Sequence, residues 1–209
     1  MIKLIIFDLG KVILDFSFFP VAEGLARSSN HELYKDPGNI ADYLRIHGTD
    51  IAVKYESGKI SSEEFYNHIK ESFCLDLSFN QFKQIWSDIF TENEGVADLI
   101  QSLRKDFRLC LLSNTNELHF EFIRKNFPIV YKFDMWVLSY EAGVMKPDPE
   151  IFRIALKKAG VGADEAIFID DIKGHVLGAQ GIGINSVEFK SVAQITRFIE
   201  ETVYEQSAK

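Results

Sequence analysis

The chain has 209 residues, enough for one domain with a modest insertion and too few for two large independent ones. Apolar residues are 46% and charged residues 26%, a globular balance that excludes disordered, collagenous and low-complexity classes. Lys and Arg number 23 against 31 Asp and Glu, a net charge of −8, which argues against nucleic acid and against an anionic membrane surface as partners, since both call for a basic face.

After Met1-Ile2-Lys3 no long apolar stretch with a small-residue cleavage site follows, which points away from a secretory leader. No run reaches the roughly 18 apolar residues of a spanning helix. Cys74 and Cys110 form neither a CxxC nor a zinc pattern and read as small buried hydrophobes. The expected compartment is the reducing cytoplasm.

In chain order, the first element is an apolar strand over 2–8, ending in Asp8-Leu9-Gly10. Residues 17–90 then break the rhythm: they carry no convincing strand but show helical stripes such as Phe65, Ile69 and Phe73 behind the start signal Ser61-Ser62-Glu63-Glu64. A helix over 94–105 with Val96, Leu99, Ile100 and Leu103 on one stripe leads into a strand over 107–113. A helix over 117–126 and a strand over 133–139 follow. The next helix, 149–159, has Asp148 as N-cap, Pro149 in its first position and Gly160 beyond its end. Strands over 166–171 and 183–187 and a last helix over 191–204 complete the chain. Apolar runs without clean alternation mark strands covered on both faces. The alternation of strand and helix predicts an α/β fold, a doubly wound parallel sheet core with a small α-helical cap inserted after the first strand. The expected division is a core of 1–16 and 91–209 with a cap of 17–90. An insertion at a strand's carboxyl end lies over the crevice where such sheets bind ligands.

The strand ends are therefore where chemistry is expected. Asp8 closes the first strand, and a carboxylate there is costly to bury without a cation or donors, although a turn carboxylate is the plainer reading. Ser113-Asn114-Thr115-Asn116 precedes a helix and suits either a bound anion or an ordinary N-cap. Lys146 lies in Met145-Lys146-Pro147-Asp148-Pro149, where two prolines stiffen the backbone around one ammonium. Asp170 and Asp171 end an apolar strand side by side, and such a pair repels unless a cation compensates it. Taken together, these four strand ends make a Mg²⁺ site facing a phosphate site, because hard oxygen ligands suit Mg²⁺.

FDLGKV, LLSNTN, GVMKPDPEIF and FIDDIKGHVLGAQGIG occur in the motif order of the haloacid dehalogenase superfamily. Over nearly its whole length the chain resembles the branch with a helical cap between the first two motifs, and within it an FDLG subgroup of sugar-phosphate phosphatases. The resemblance implies a Mg²⁺-dependent hydrolase of a small phosphorylated metabolite acting through an aspartyl-phosphate. Asp8 would be the nucleophile, Ser113 and Asn114 would hold the phosphoryl oxygens, and Lys146 would orient Asp8 and stabilise the transferring group. The metal would be held by Asp8, the Gly10 carbonyl, and Asp170 or Asp171; Asp171 aligns with the usual metal acid.

Three positions depart from the family pattern. Gly10 stands where its phosphatases usually carry a general acid and base, whose loss typically costs about 10²–10⁴-fold in rate. Asp15 is a candidate substitute. Lys11 replaces a Gly or Asn and either adds charge near the phosphate or is merely exposed. His175 replaces a common Asn, with a supporting role behind the acidic pair or none. Two other readings stay open: a metal-independent 2-haloacid dehalogenase, and a catalytically weak phosphate-binding regulator, favoured by Gly10. In the cap, Phe18, Phe19, Tyr43, Arg45, His47, Tyr55 and Trp86 are available to shape a pocket, although a small cap needs most such residues for its own packing.

Overall fold

A computed structural model describes residues 1–46 and 49–207; His47 lies outside the described residues. In chain order the elements are β1 (Leu4–Phe7), β2 (Leu14–Phe16), α1 (Phe19–Ser28), α2 (Pro37–Ile46), α3 (Thr49–Glu56), α4 (Ser62–Ser72), α5 (Phe79–Ser87) and β3 (Phe90–Glu92). There follow α6 (Val96–Leu103), β4 (Arg108–Ser113), α7 (Glu117–Asn126), β5 (Met135–Leu138), α8 (Ser139–Ala142), α9 (Pro149–Ala159), β6 (Ala166–Asp170), α10 (Lys173–Gln180), β7 (Asn185–Glu188) and α11 (Val192–Ser207).

The main sheet is parallel, in the order β5-β4-β1-β6-β7, and is the doubly wound α/β fold. Its strands lack polar alternation because both faces are covered. Ile5, Phe7, Leu109, Leu111, Ile167 and Ile169 pack with α6, α7 and α11, whereas Leu4, Ile6, Cys110, Leu112 and Phe168 pack with α9 and α10. Register sets up the site: Phe7 pairs with Leu111 on one side and Ile169 on the other, so the chain one or two residues further on converges from three strands. The Asp8 amide donates to the Ile169 carbonyl at 2.9 Å and holds the first of these ends in place.

Between β1 and β4 the helices α1 to α5 enclose a separate apolar cluster around Val21, Leu25, Phe65, Ile69, Phe82 and Trp86, which also takes in Leu118 of α7. α4 starts as its sequence predicts: Ser61 caps the Glu64 amide and the Glu64 carboxylate returns to the Ser61 amide. At the root of the insertion, β2 and β3 pair antiparallel, Leu14 with Glu92 and Phe16 with Phe90. No strand is expected there from the sequence, because three residues are too few to show a period. Cys110 is buried as expected, but Cys74 is exposed, in the left-handed turn (φ 52°) that closes α4. Among the described residues no helix is long and apolar enough to cross a membrane.

Candidate active site

Lys146 is the centre of the arrangement. Its side chain is 1% exposed, and its Nζ lies 2.6 Å from Asp8 Oδ1 and 2.6 Å from Asp170 Oδ2. The Asn114 side chain fixes the backbone that carries it: Oδ1 accepts from the Lys146 amide at 2.8 Å, and Nδ2 donates to the Lys146 carbonyl at 2.9 Å. One asparagine after β4 thus clamps the loop leading to α9. Gly178 of α10 allows that loop to approach, since a Cβ there would lie 2.6 Å from the Pro147 carbonyl oxygen.

Asp170 is fully buried and multiply bonded. Besides Lys146, its oxygens accept from the Ile172 amide at 2.8 Å and lie 3.0 and 3.1 Å from His175 Nδ1. His175 therefore braces the acidic pair. Asp171 is half-buried, and carboxylate oxygens of Asp8, Asp170 and Asp171 come within 4.8 Å of one another. Ser113 is buried at the end of β4 and lines a cavity together with Asn114, Thr115 and the residues that follow Asp8, Leu9 and Gly10. The hydrogen bonds of the turn after β1 run to the Leu9 and Leu14 carbonyls and leave the Gly10 carbonyl out.

Electrostatics shows what the cluster lacks. Burial, reinforced by Asp170, pushes the Asp8 carboxyl up to about 6 against the opposing pull of Lys146. Burial and Asp170 also raise Asp171. Burial alone would raise Asp170 too, but its bonds from His175 and Lys146 hold it below the usual carboxylate range. Burial alone would lower Lys146, yet its two carboxylate partners outweigh that and hold it above the ordinary lysine value. Three carboxylates against one ammonium leave two negative charges, which one divalent cation would balance. The donor set is all hard oxygen, so the residues present fit Mg²⁺.

The structure separates the other sequence candidates. Asp15 does not face Asp8: it is exposed, pairs with Lys11, and accepts from the Phe16 amide at 2.7 Å. Those bonds keep it ionised well below the usual range, so it is no proton source for the site. Lys11 is held by Asp15 and by the Phe16 carbonyl at 2.8 Å. At position 10 a Cβ would lie 2.9 Å from the Phe16 ring, so the ring occupies the space a larger residue would need. Of the candidate pocket residues in the insertion, Phe18 lines the cavity. Tyr55 and Trp86 belong to the insertion's own core, Tyr43 packs on Phe73, Arg45 pairs with Asp42, and Phe19 is exposed.

Two titratable residues of the cavity were not expected from the sequence, Glu56 at the end of α3 and His119 in α7. His119 is buried, with Nδ1 3.0 Å from Asn116 Nδ2 and Nε2 3.0 Å from the Trp86 carbonyl. The Asn116 amide donates to Nδ1, so Nε2 carries the hydrogen and donates to the carbonyl, an arrangement for a neutral ring. Neither residue has a local sequence signal, because each matters only through what the fold places beside it.

A family model for haloacid dehalogenase-like hydrolases matches residues 2–183. D-ribitol-5-phosphate phosphatase of Bacteroides thetaiotaomicron is 30% identical over 90% of this chain and 92% of its own. A phosphorylated carbohydrates phosphatase of Thermotoga maritima is 23% identical over 88% of this chain and 82% of its own. Among solved structures, a HAD family enzyme of Bacteroides thetaiotaomicron in complex with magnesium and inorganic phosphate superposes with a TM-score of 0.79 and 30% identity, covering 92% of this chain and 96% of the other.

Proposed function

The chain belongs to the haloacid dehalogenase-like hydrolase family, and from that premise we propose that it is a Mg²⁺-dependent phosphatase of small phosphomonoesters, phosphorylated carbohydrates in particular. The observation that carries the reading is the Lys146 ammonium held 2.6 Å from both Asp8 and Asp170, with Asp171 beside them. A dehalogenase acting without metal would leave that acidic surplus uncompensated.

Asp8 is the nucleophile. Its carboxylate oxygen bonds to phosphorus as the bond from phosphorus to the leaving oxygen breaks, and the departing alkoxide takes a proton to become the alcohol. Water then cleaves the aspartyl-phosphate, which releases inorganic phosphate and restores the carboxylate. Lys146 aims Asp8 and offsets charge on the transferring group. Ser113 offers its hydroxyl to a phosphoryl oxygen. The Asn114 side chain acts through its clamp on Lys146 and so positions rather than binds. Asp8, the Gly10 carbonyl and Asp171 would hold Mg²⁺, since Asp170 already answers to Lys146, His175 and Ile172. When bound, the metal neutralises phosphoryl charge as a Lewis acid. Residues 17–90 act as a cap: the cavity is lined from both sides, by Glu56 and Phe18 of the insertion and by Ser113 and Thr115 of the core. With glycine at position 10, the proton comes from water, and esters with good leaving groups are turned over fastest.

The test is phosphate release from phenyl phosphate and from a panel of sugar and polyol phosphates, with Mg²⁺ and with chelator. Activity is expected with Mg²⁺ alone, and Asp8→Asn is expected to lose at least about 10³-fold. Phosphate binding without turnover would support the regulator instead, and metal-independent halide release from a 2-haloacid would support the dehalogenase.

A further inference from the structure

Among the described residues Glu56 is the one acidic residue lining the cavity, and it comes from the insertion, whereas Ser113 and Asn114 come from the core strand end. Its carboxyl is largely withdrawn from water, and no hydrogen bond or ion pair among the described residues reaches it. The only other titratable group of the lining, His119, has both ring nitrogens engaged. The remaining lining on the insertion side is apolar, with Phe16, Phe18, Ile89 and Phe90. A carboxyl buried without donors is a standing cost to the fold, and no contact among the described residues offsets it. Its position offers an account: Glu56 shares the cavity with Ser113 and Gly10, where the leaving group of a bound phosphomonoester would lie.

We propose that Glu56 is a specificity-determining residue, its carboxyl binding hydroxyl groups of a polyol or sugar leaving group and so selecting polyhydroxylated phosphomonoesters over apolar ones. This rests on the phosphatase reading above. Hydroxyls match the site chemically because each both donates and accepts. Burial pushes the Glu56 carboxyl up to about 7, so near neutral pH it is available in both forms and can meet either half of that pattern. The apolar walls lower the local polarity, which makes each such hydrogen bond count for more and penalises any substrate that leaves the carboxyl unpaired.

The experiment compares kcat/KM for a pentitol phosphate with kcat/KM for phenyl phosphate, both with Mg²⁺, in the wild type, Glu56→Gln and Glu56→Leu. The ratio of pentitol to phenyl ester is expected to fall roughly 10- to 100-fold in Glu56→Leu, mainly through a higher KM for the pentitol ester. Glu56→Gln, isosteric and still able to donate and accept, is expected to retain most of the ratio and guards against a folding defect. A ratio unchanged in both variants, with rates on the two esters moving together, would overturn the assignment and mark Glu56 as structural. A wild type that hydrolyses neither ester would overturn the phosphatase reading, and this assignment with it.

Discussion

His119 and Glu56 face the same cavity, yet burial acts on their charges with opposite consequences for stability. Burial, opposed by the bond to the Trp86 carbonyl, lowers the His119 pKa from 6.5 to about 4. Between those values the unfolded chain binds a proton that the folded chain refuses, so stability is fully present above pH 6.5 and is lost as pH falls towards 4. The full shift corresponds to about 3 kcal/mol. Glu56 and Asp8 are raised instead, to about 7 and about 6, so their contributions are present at low pH and lost as pH rises through those values. The opposed trends blur any single stability curve, and the difference between wild type and His119→Gln isolates one of them. Measured by urea unfolding, the stability of wild type minus that of the variant is expected to rise from pH 4 to 6.5 and stay flat above; a difference constant across that range would show that the ring is not held neutral. These two residues also mark the limit of what was legible. Asp8, Ser113, Lys146 and Asp170 could be picked out because each ends a buried apolar run or stands beside a stiff proline-containing turn, where a polar group asks for a reason. Glu56 looks like any helical glutamate until the insertion folds over the sheet. Asp15 looked close to Asp8 in sequence, but the lysine four residues before it claims its carboxylate.

At the scale of elements, the buried strands and the capped helices could be read because burial on two faces and end-capping both leave local marks. The β2–β3 pair could not, since its existence depends on two segments some 75 residues apart, Leu14 with Glu92, meeting at the root of the insertion. How the insertion rests on the core was equally hidden. Ser62 of α4 donates to Glu117 of α7 at 2.5 Å and lies 2.7 Å from the Tyr55 hydroxyl, which in turn accepts from the Leu118 amide at 3.3 Å. Nearby, Gly58 adopts φ 66°, where a Cβ would stand 2.1 Å from the carbonyl oxygen of Tyr140 in α8. The contact is possible for glycine alone. The cavity beside it is small, ≈ 90 Å³, and partly open, so the insertion is expected to swing out as a sugar-sized leaving group enters and to seat over it again through this contact. Gly58→Ala is expected to prevent that closure and to lower kcat/KM for sugar phosphates at least ~10-fold, with the far-UV circular dichroism unchanged. Wild-type kinetics in this variant would show that the turn between α3 and α4 need not seat on Tyr140.

For the whole molecule, the question is whether the two apolar clusters form one cooperative unit. The sheet core is large and layered on both faces of β1, β4 and β6, whereas the insertion's cluster depends on a few rings. Phe65 is its hub: it stacks on Tyr55 at 4.4 Å and meets Trp86 edge-on at 4.8 Å. Apolar contact between the clusters runs through Phe90, which packs against both, and Leu118, which α7 contributes to the insertion; the rest of the seam is polar or ring contact, such as Ser62 with Glu117 and Trp86 stacked on His119. A seam with so little shared apolar core favours opening of the insertion by itself, which is also what substrate entry requires. Phe65→Ala removes a fully buried ring and is expected to cost about 3–5 kcal/mol, falling first on the insertion. Hydrogen exchange followed residue by residue should then show amides of α1, α4 and α5 losing protection while those of β1, β4 and β6 keep theirs. Equal loss in both sets would mean that the insertion and the sheet unfold as one, and admission of substrate would have to proceed by rigid rotation about the β2–β3 pair instead of by loosening of the helices.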